Sequence, residues 1–223
     1  MKKSLITINL FTFALIGATA VGTHAHGLWI EPTKTGVSIH YGEVGNNEKE
    51  PKEKLAPFAS SLNVKNAAGE TVKAELREDG FYVAEKDVKK GGVTASIPGG
   101  PIYGDGDGAT RYQAWLRYAP VWGQAVEPSA EFPVDVVPVA GKQAVFAVYK
   151  DGKAAGGAWV EVTAPNGWTK WFEADSAGHV AIQAPWPGLY VIQAEHENNS
   201  AGMQDGKAYA KNHQSVYLSI RKP

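Results

Sequence analysis

The chain has 223 residues, 43% of them apolar and 20% charged, which is the composition of a protein that buries a core. Twenty-two Lys and Arg against 23 Asp and Glu give a net charge of −1, so no basic excess is available to grip nucleic acid. There is no cysteine, which excludes disulfides, thiolate metal sites, iron–sulfur clusters and cysteine nucleophiles.

Residues 1–25 read as a secretory signal peptide. Lys2 and Lys3 make a positive start, and residues 5–21 are almost free of charge. That stretch is about 17 residues, short of the ~20 a membrane span needs. Two small-x-small sites compete for cleavage, Ala18-Thr19-Ala20 and Thr23-His24-Ala25. Removing the leader takes away two lysines and leaves 20 basic against 23 acidic residues, a net charge of −3. The expected location is the periplasm, with a mature chain that does not span a membrane.

After residue 26, helical periodicity gives way to alternation. Strands are predicted over 27–31, 37–41, 61–65, 71–77, 81–84, 92–97 and 112–118. A polar segment, 46–54, interrupts them as a loop. Residues 120–138 carry Pro120, Pro128, Pro133 and Pro138 and read as a boundary between domains. Further strands are predicted over 145–150, 159–163, 168–174, 179–184, 189–196 and 215–221, separated by turns such as Asp151-Gly152 and Pro165-Asn166-Gly167. The expectation is an all-β protein of two β-sandwich domains, Ig-like or prealbumin-like, over 26–134 and 135–223.

Residues 99–109 are rich in glycine. Gly104-x-Gly106-x-x-Ala109 has the form of a dinucleotide fingerprint, but no helix follows and Asp105 and Asp107 would repel a pyrophosphate. As a calcium loop the segment lacks a third acidic position and has Leu116 where a glutamate is needed. It reads as a flexible turn. No Gly-x-Ser-x-Gly elbow occurs. Seven tryptophans are present, and Trp168, Trp171 and Trp186 near turns could form a platform for sugars.

Histidine carries the most chemical information. Cleavage after Ala25 leaves His26, His40, His179, His196 and His213, with His26 as the new N-terminus. An N-terminal histidine chelates a metal through its α-amine and ring Nδ1, and the amine deprotonates at modest cost. A second imidazole would complete a three-nitrogen site suited to nickel, cobalt, copper or zinc. His196 leaves the strand 189–194 and His213 precedes the strand 216–220, so a hairpin would bring them to the same end of a sheet. Whether they face the same way is open. His40 lies in the second strand with Glu43 near it. The candidate metal ligands are therefore His26, His196, His213 and His40.

Several segments in order resemble one family. Ala25-His26-Gly27-Leu28-Trp29-Ile30-Glu31-Pro32 resembles an Ala-His-x-x-Trp-x-x-Pro opening, and His40-Tyr41-Gly42-Glu43 an early Gly-Glu strand. The stretch from Pro133 to Pro138 is similar to an interdomain segment, and Asp151-Gly152-Lys153 with Gly157-Ala158 to a hairpin. Asp175-Ser176-Ala177-Gly178 matches a turn, with Ala174 in place of threonine. The run from Gly188 to His196 resembles Gly-x-Trp-x-Val-x-Ala-x-His, with Tyr190 in place of tryptophan. The family is periplasmic, largely of unknown function, and associated with nickel uptake and cobalt transport. The resemblance implies capture of a divalent transition-metal ion and its delivery to a membrane transporter, with His26 and His196 as the positions most directly matched. No catalysis is required. Two other readings compete: a copper polysaccharide monooxygenase, which also starts with His-Gly after cleavage, and a metal-free module binding a glycan or protein through its tryptophans.

Overall fold

The computed structural model describes residues 26–88 and 92–223; the predicted leader and its two candidate cleavage sites lie outside the described residues. In chain order the strands are β1 (Gly27–Thr33), β2 (Gly36–Glu43), β3 (Glu48–Lys49), β4 (Asn63–Asn66), β5 (Glu75–Leu76), β6 (Phe81–Ala84), β7 (Val93–Ile97), β8 (Ile102–Tyr103) and β9 (Thr110–Ala119). They continue with β10 (Val134–Pro138), β11 (Val145–Lys150), β12 (Lys153–Ala154), β13 (Trp159–Thr163), β14 (Thr169–Glu173), β15 (His179–Ala181), β16 (Gly188–Asn198), β17 (Gly202–Gln204), β18 (Lys207–Tyr209) and β19 (Lys211–Lys222). Two one-turn helices, α1 (Lys52–Leu55) and α2 (Glu85–Val88), interrupt the first half. No helix among the described residues is long and apolar enough to cross a membrane.

The fold is all-β and sandwich-like, and a long mixed sheet organises it. The strand order is β14-β13-β16-β19-β9-β7-β4, with β8 also on β9. Its pairs are antiparallel except one: β19 runs parallel to β9, from Lys211 opposite Thr110 to Ile220 opposite Ala119. A second sheet, β1-β2-β6-β5 with β3 on β2, covers one face, and β1 lies against β9 and β19. A third, β10-β11-β12 with β15 on β11, covers the other, and β10 lies against β16 and β19.

Side chains of a strand alternate between its two faces, so one strand can supply two cores. Here it does. Trp115, Val216, Leu218, Ile220, Tyr190 and Ile192 pack with Val134, Val136, Phe146 and Val148 on one face. Leu116, Tyr118, Tyr217 and Val191 pack with Ile30, Val37, Ile39, Phe81 and Val83 on the other. Consequently β9 is buried without a break from Ala114 to Ala119, and β19 from Gln214 to Ile220. Each large side chain so buried contributes roughly 1.5–3 kcal/mol. The layers are also tied by hydrogen bonds: the Ile30 amide donates to Ser219 Oγ at 2.8 Å.

Several boundaries differ from the sequence reading. The proline-bearing segment includes a fully buried strand, β10, which Pro138 ends; proline is tolerated at a strand terminus, where its missing N–H costs no ladder bond. The span 71–77 keeps only β5 and an isolated bridge between Lys65 and Thr71. The predicted Asp151-Gly152 turn has positive φ at both residues, as does Asp205-Gly206 between β17 and β18, the geometry of tight two-residue hairpins.

One buried ion pair joins the main sheet to its third-sheet cover. Arg117 of β9 donates to Asp135 of β10 at 2.7 Å, and both are buried. Asp135 also accepts from the Ser129 and Val136 amides, at 2.8 and 2.9 Å. Burial pushes the Asp135 carboxyl above its usual range, against the pull of Arg117 and the two amides. Replacing Arg117 alone with leucine is expected to cost about 3–5 kcal/mol, because an unpaired carboxylate stays buried. In urea titrations that deficit should narrow as pH falls and Asp135 takes up a proton, and the double change Arg117→Leu, Asp135→Leu should recover much of the loss.

Candidate functional site

The four sequence-selected histidines occupy different environments. His40 of β2 stands opposite Trp29 and is 2% exposed. Its Nδ1 donates to the Asp79 carbonyl at 2.6 Å, its Nε2 lies 3.5 Å from Glu31 Oε2, and its ring centroid is 5.3 Å from that of Trp29. Burial holds its pKa below the usual histidine value. Its packing accounts for it.

β16 and β19 pair antiparallel as the hairpin reading expects, with His196 opposite Gln214 and Glu197 opposite His213. The two histidines sit at the same end of the sheet but on opposite faces. His196 shares parity with Tyr190, Ile192 and Ala194, which enter one core, whereas His213 shares parity with Tyr217, which enters the other. His213 lies between two carboxylates, Nε2 3.4 Å from Glu195 and Nδ1 3.5 Å from Glu197, and its ring is 5.0 Å from that of Tyr112. The Glu195 hydrogen bond, opposed by burial, raises the His213 pKa, while His213 lowers that of Glu195.

His26 precedes β1 and is exposed. Its parity is that of Leu28 and Ile30, so it faces the gap between the second sheet and the main sheet, on the side away from His40. Its Nε2 is 2.6 Å from Glu50 Oε1, and its ring is 5.2 Å from that of Tyr41. The Glu50 amide donates to the Tyr41 carbonyl at 2.8 Å, which fixes the carboxylate beside the imidazole. An ionised carboxylate only accepts, so Nε2 donates, and in the neutral ring the lone pair falls to Nδ1. That is the nitrogen able to share a metal with the adjoining main-chain nitrogen.

His26 stands at the mouth of an aromatic cleft. Tyr41 packs edge-on against Phe58 on one side, at 5.3 Å, and Tyr103 edge-on against Tyr112 on the other, at 5.5 Å. Leu28, Ile97, Ser215 and Tyr217 line the interior, a cavity of about 110 Å³. A wider recess of about 450 Å³ adjoins it and reaches Glu50, Glu53 and Lys54. Gly100 passes so close to β9 that a Cβ there would lie 1.8 Å from the Tyr112 carbonyl oxygen, so any side chain would push the wall apart. Burial raises the pKa of the Tyr41 and Tyr217 hydroxyls above the ordinary tyrosine value.

Among the described residues, no group of three or more His, Asp and Glu side chains is gathered to hold a metal ion. The structure places His26 at the cleft and His213 against its Tyr112 wall; it does not bring His40 or His196 to either. Tyr41, Glu50, Tyr103, Tyr112 and Tyr217 escaped the sequence reading. Glu50 lay in a segment read as a plain polar loop, and the tyrosines could be grouped only by knowing strand register.

Two tryptophans share the outer face of β13 and β14. Trp159 stands opposite Glu173 and Trp171 opposite Glu161, 54% and 47% exposed. Trp168 and Trp186 meet edge-on nearby, at 6.2 Å.

No protein-family model matches the chain, and no curated protein matches it significantly.

The His213 pairing makes stability depend on pH. A histidine whose pKa is raised on folding contributes stability that is complete below its unfolded value, about 6.5, and is lost as pH rises through the folded value. In metal-free buffer, the melting temperature of the wild type should fall relative to that of His213→Gln as pH climbs from about 6 to 8. Parallel curves would show that Glu195 and Glu197 do not hold the proton.

Proposed function

We propose that the protein acts in the periplasm as a binding protein for a divalent transition-metal ion of the nickel or cobalt type, which it passes to a membrane uptake system. In this reading the leader is removed after Ala25, and the ion, as cargo, is held by the α-amine and Nδ1 of His26. The observation that carries it is the 2.6 Å contact between His26 Nε2 and Glu50 at an open cleft. A carboxylate on the far nitrogen of a ligating imidazole fixes its tautomer and strengthens it as a donor. The order of motifs that resembles the nickel- and cobalt-associated family supports the same reading.

The ligand set narrows from four histidines to one. His40 is spent on packing and on the Asp79 carbonyl, His196 faces the other core, and His213 is held by Glu195 and Glu197. A copper monooxygenase would need a second imidazole beside the first, and nothing in these placements favours one. A metal-free module for a glycan or a protein would draw on Trp168, Trp171 and Trp186, with Trp171 on the same exposed face as Trp159; it predicts that His26 can be changed without loss of binding.

Native mass spectrometry of protein taken from the periplasm tests the proposal. The expected result is a chain starting at His26 that takes up one Ni(II) or Co(II). His26→Ala with cleavage preserved should abolish uptake, and Glu50→Gln should weaken it about 10- to 100-fold, as loss of a carboxylate behind a ligating imidazole does elsewhere. A chain starting at Val21, or one starting at His26 that binds nothing, would overturn it.

A further inference from the structure

We infer that the open face of β13 and β14, with the free edge of β14, docks an extended segment of a partner protein that carries lysine or arginine at alternate positions. The inference is independent of the metal-binding reading and goes beyond it.

The first observation is a pair of uncovered indoles at a sheet edge. β14 ends the main sheet, and its side away from β13 pairs with no strand among the described residues. Trp159, Glu161 and Thr163 of β13 stand opposite Glu173, Trp171 and Thr169 of β14, so these side chains share one face. Farther along the sheet the same face carries Val191 and Tyr217 into the core beneath the second sheet. Trp159 and Trp171 lie outside that core and are exposed. β14 is five residues long, exposed over most of its length, and has no proline or glycine to blunt pairing. Such an edge offers backbone groups to an added strand.

The second observation is the charge around the indoles. Glu173 stands opposite Trp159, and Glu161 opposite Trp171. One step beyond the pair Val160–Ala194, the register brings Glu195 beside Trp159 from the other side. The residues that β13, β14 and β16 aim this way include neither lysine nor arginine. Lys170 has the opposite parity, and its Nζ lies 5.2 Å from the Phe172 ring centroid. Gln193 and His213 already engage Glu195, which leaves Glu173, on the edge strand, as the carboxylate nearest an incoming chain.

These features together choose the occupant. The face of an indole attracts a cation more strongly than the other aromatic rings do, and a carboxylate beside it adds to the attraction. A neutral sugar would gain from the rings but not from the charge. A peptide strand with alternate basic residues uses edge, rings and charge at once. Laid beside β14, it would set basic side chains opposite Trp171 and Glu173, and apolar ones next to Phe172 on the other face.

Fluorescence anisotropy on the purified protein would use three labelled peptides. These are Lys-Val-Lys-Val-Lys, the block isomer Lys-Lys-Lys-Val-Val and the acidic Glu-Val-Glu-Val-Glu. The first should bind most tightly, loosen with added salt and slow amide exchange in β14. Trp171→Ala and Glu173→Gln should each weaken it about three- to tenfold. Trp171 belongs to neither core, so its loss spares the fold. Lys170→Gln, on the opposite face, should not weaken it. Absence of binding, equal affinity for the block isomer, or indifference to Trp171→Ala would overturn the inference. So would a glucan oligosaccharide that needs Trp171 where the basic peptide does not, which would make the face a sugar platform. A Trp171-dependent dimer in sedimentation velocity without peptide would overturn it too, by giving the edge to a second copy.

Discussion

The parallel pairing of β19 with β9 is the constraint on which the rest of the molecule depends. It joins strands about a hundred positions apart in the chain and makes one sheet from elements of both halves. Because successive side chains point to opposite faces, that sheet can be covered twice, by β1 and β2 on one side and β10 and β11 on the other. Breaking the pair would remove the central wall of two cores at once, which is why β9 and β19 carry long unbroken runs of buried residues.

The aromatic cleft follows from the same arrangement. The second sheet stops at β1, and the main sheet continues past it through β9 and its short neighbour β8. The gap left at that end is walled by residues each sheet already aims inward: Leu28 and Tyr41 from one, Tyr112, Ser215 and Tyr217 from the other. Glu50 is brought there by the short pairing of β3 with β2 and by the bond from its amide to the Tyr41 carbonyl. The imidazole at the mouth thus meets a carboxylate on its Nε2.

Much of the fold was legible in the amino-acid order, because alternation and turn dipeptides are local signals. The β16–β19 hairpin, the Asp151-Gly152 turn and the strand at 159–163 could all be read directly. What could not be read was long-range. The partner of β9 lies far along the chain, and β10 hid behind prolines that sit harmlessly at or near its ends. The site divides in the same way. His26 was visible from its position after a cleavage motif, whereas Glu50 and the tyrosines become neighbours only when registers are known. His196 and His213 show the limit most clearly: proximity along a hairpin was readable, but a one-residue difference in parity placed them on opposite faces.

The position of β19 has a consequence for how the chain acquires its shape. It is C-terminal to every strand it pairs with or packs against, and both cores need it. During synthesis the amino half emerges first, yet one edge of β9 stays unpaired until β19 arrives. Both cores are therefore complete only when the last strand joins them. A high share of contacts between distant positions also slows that final step.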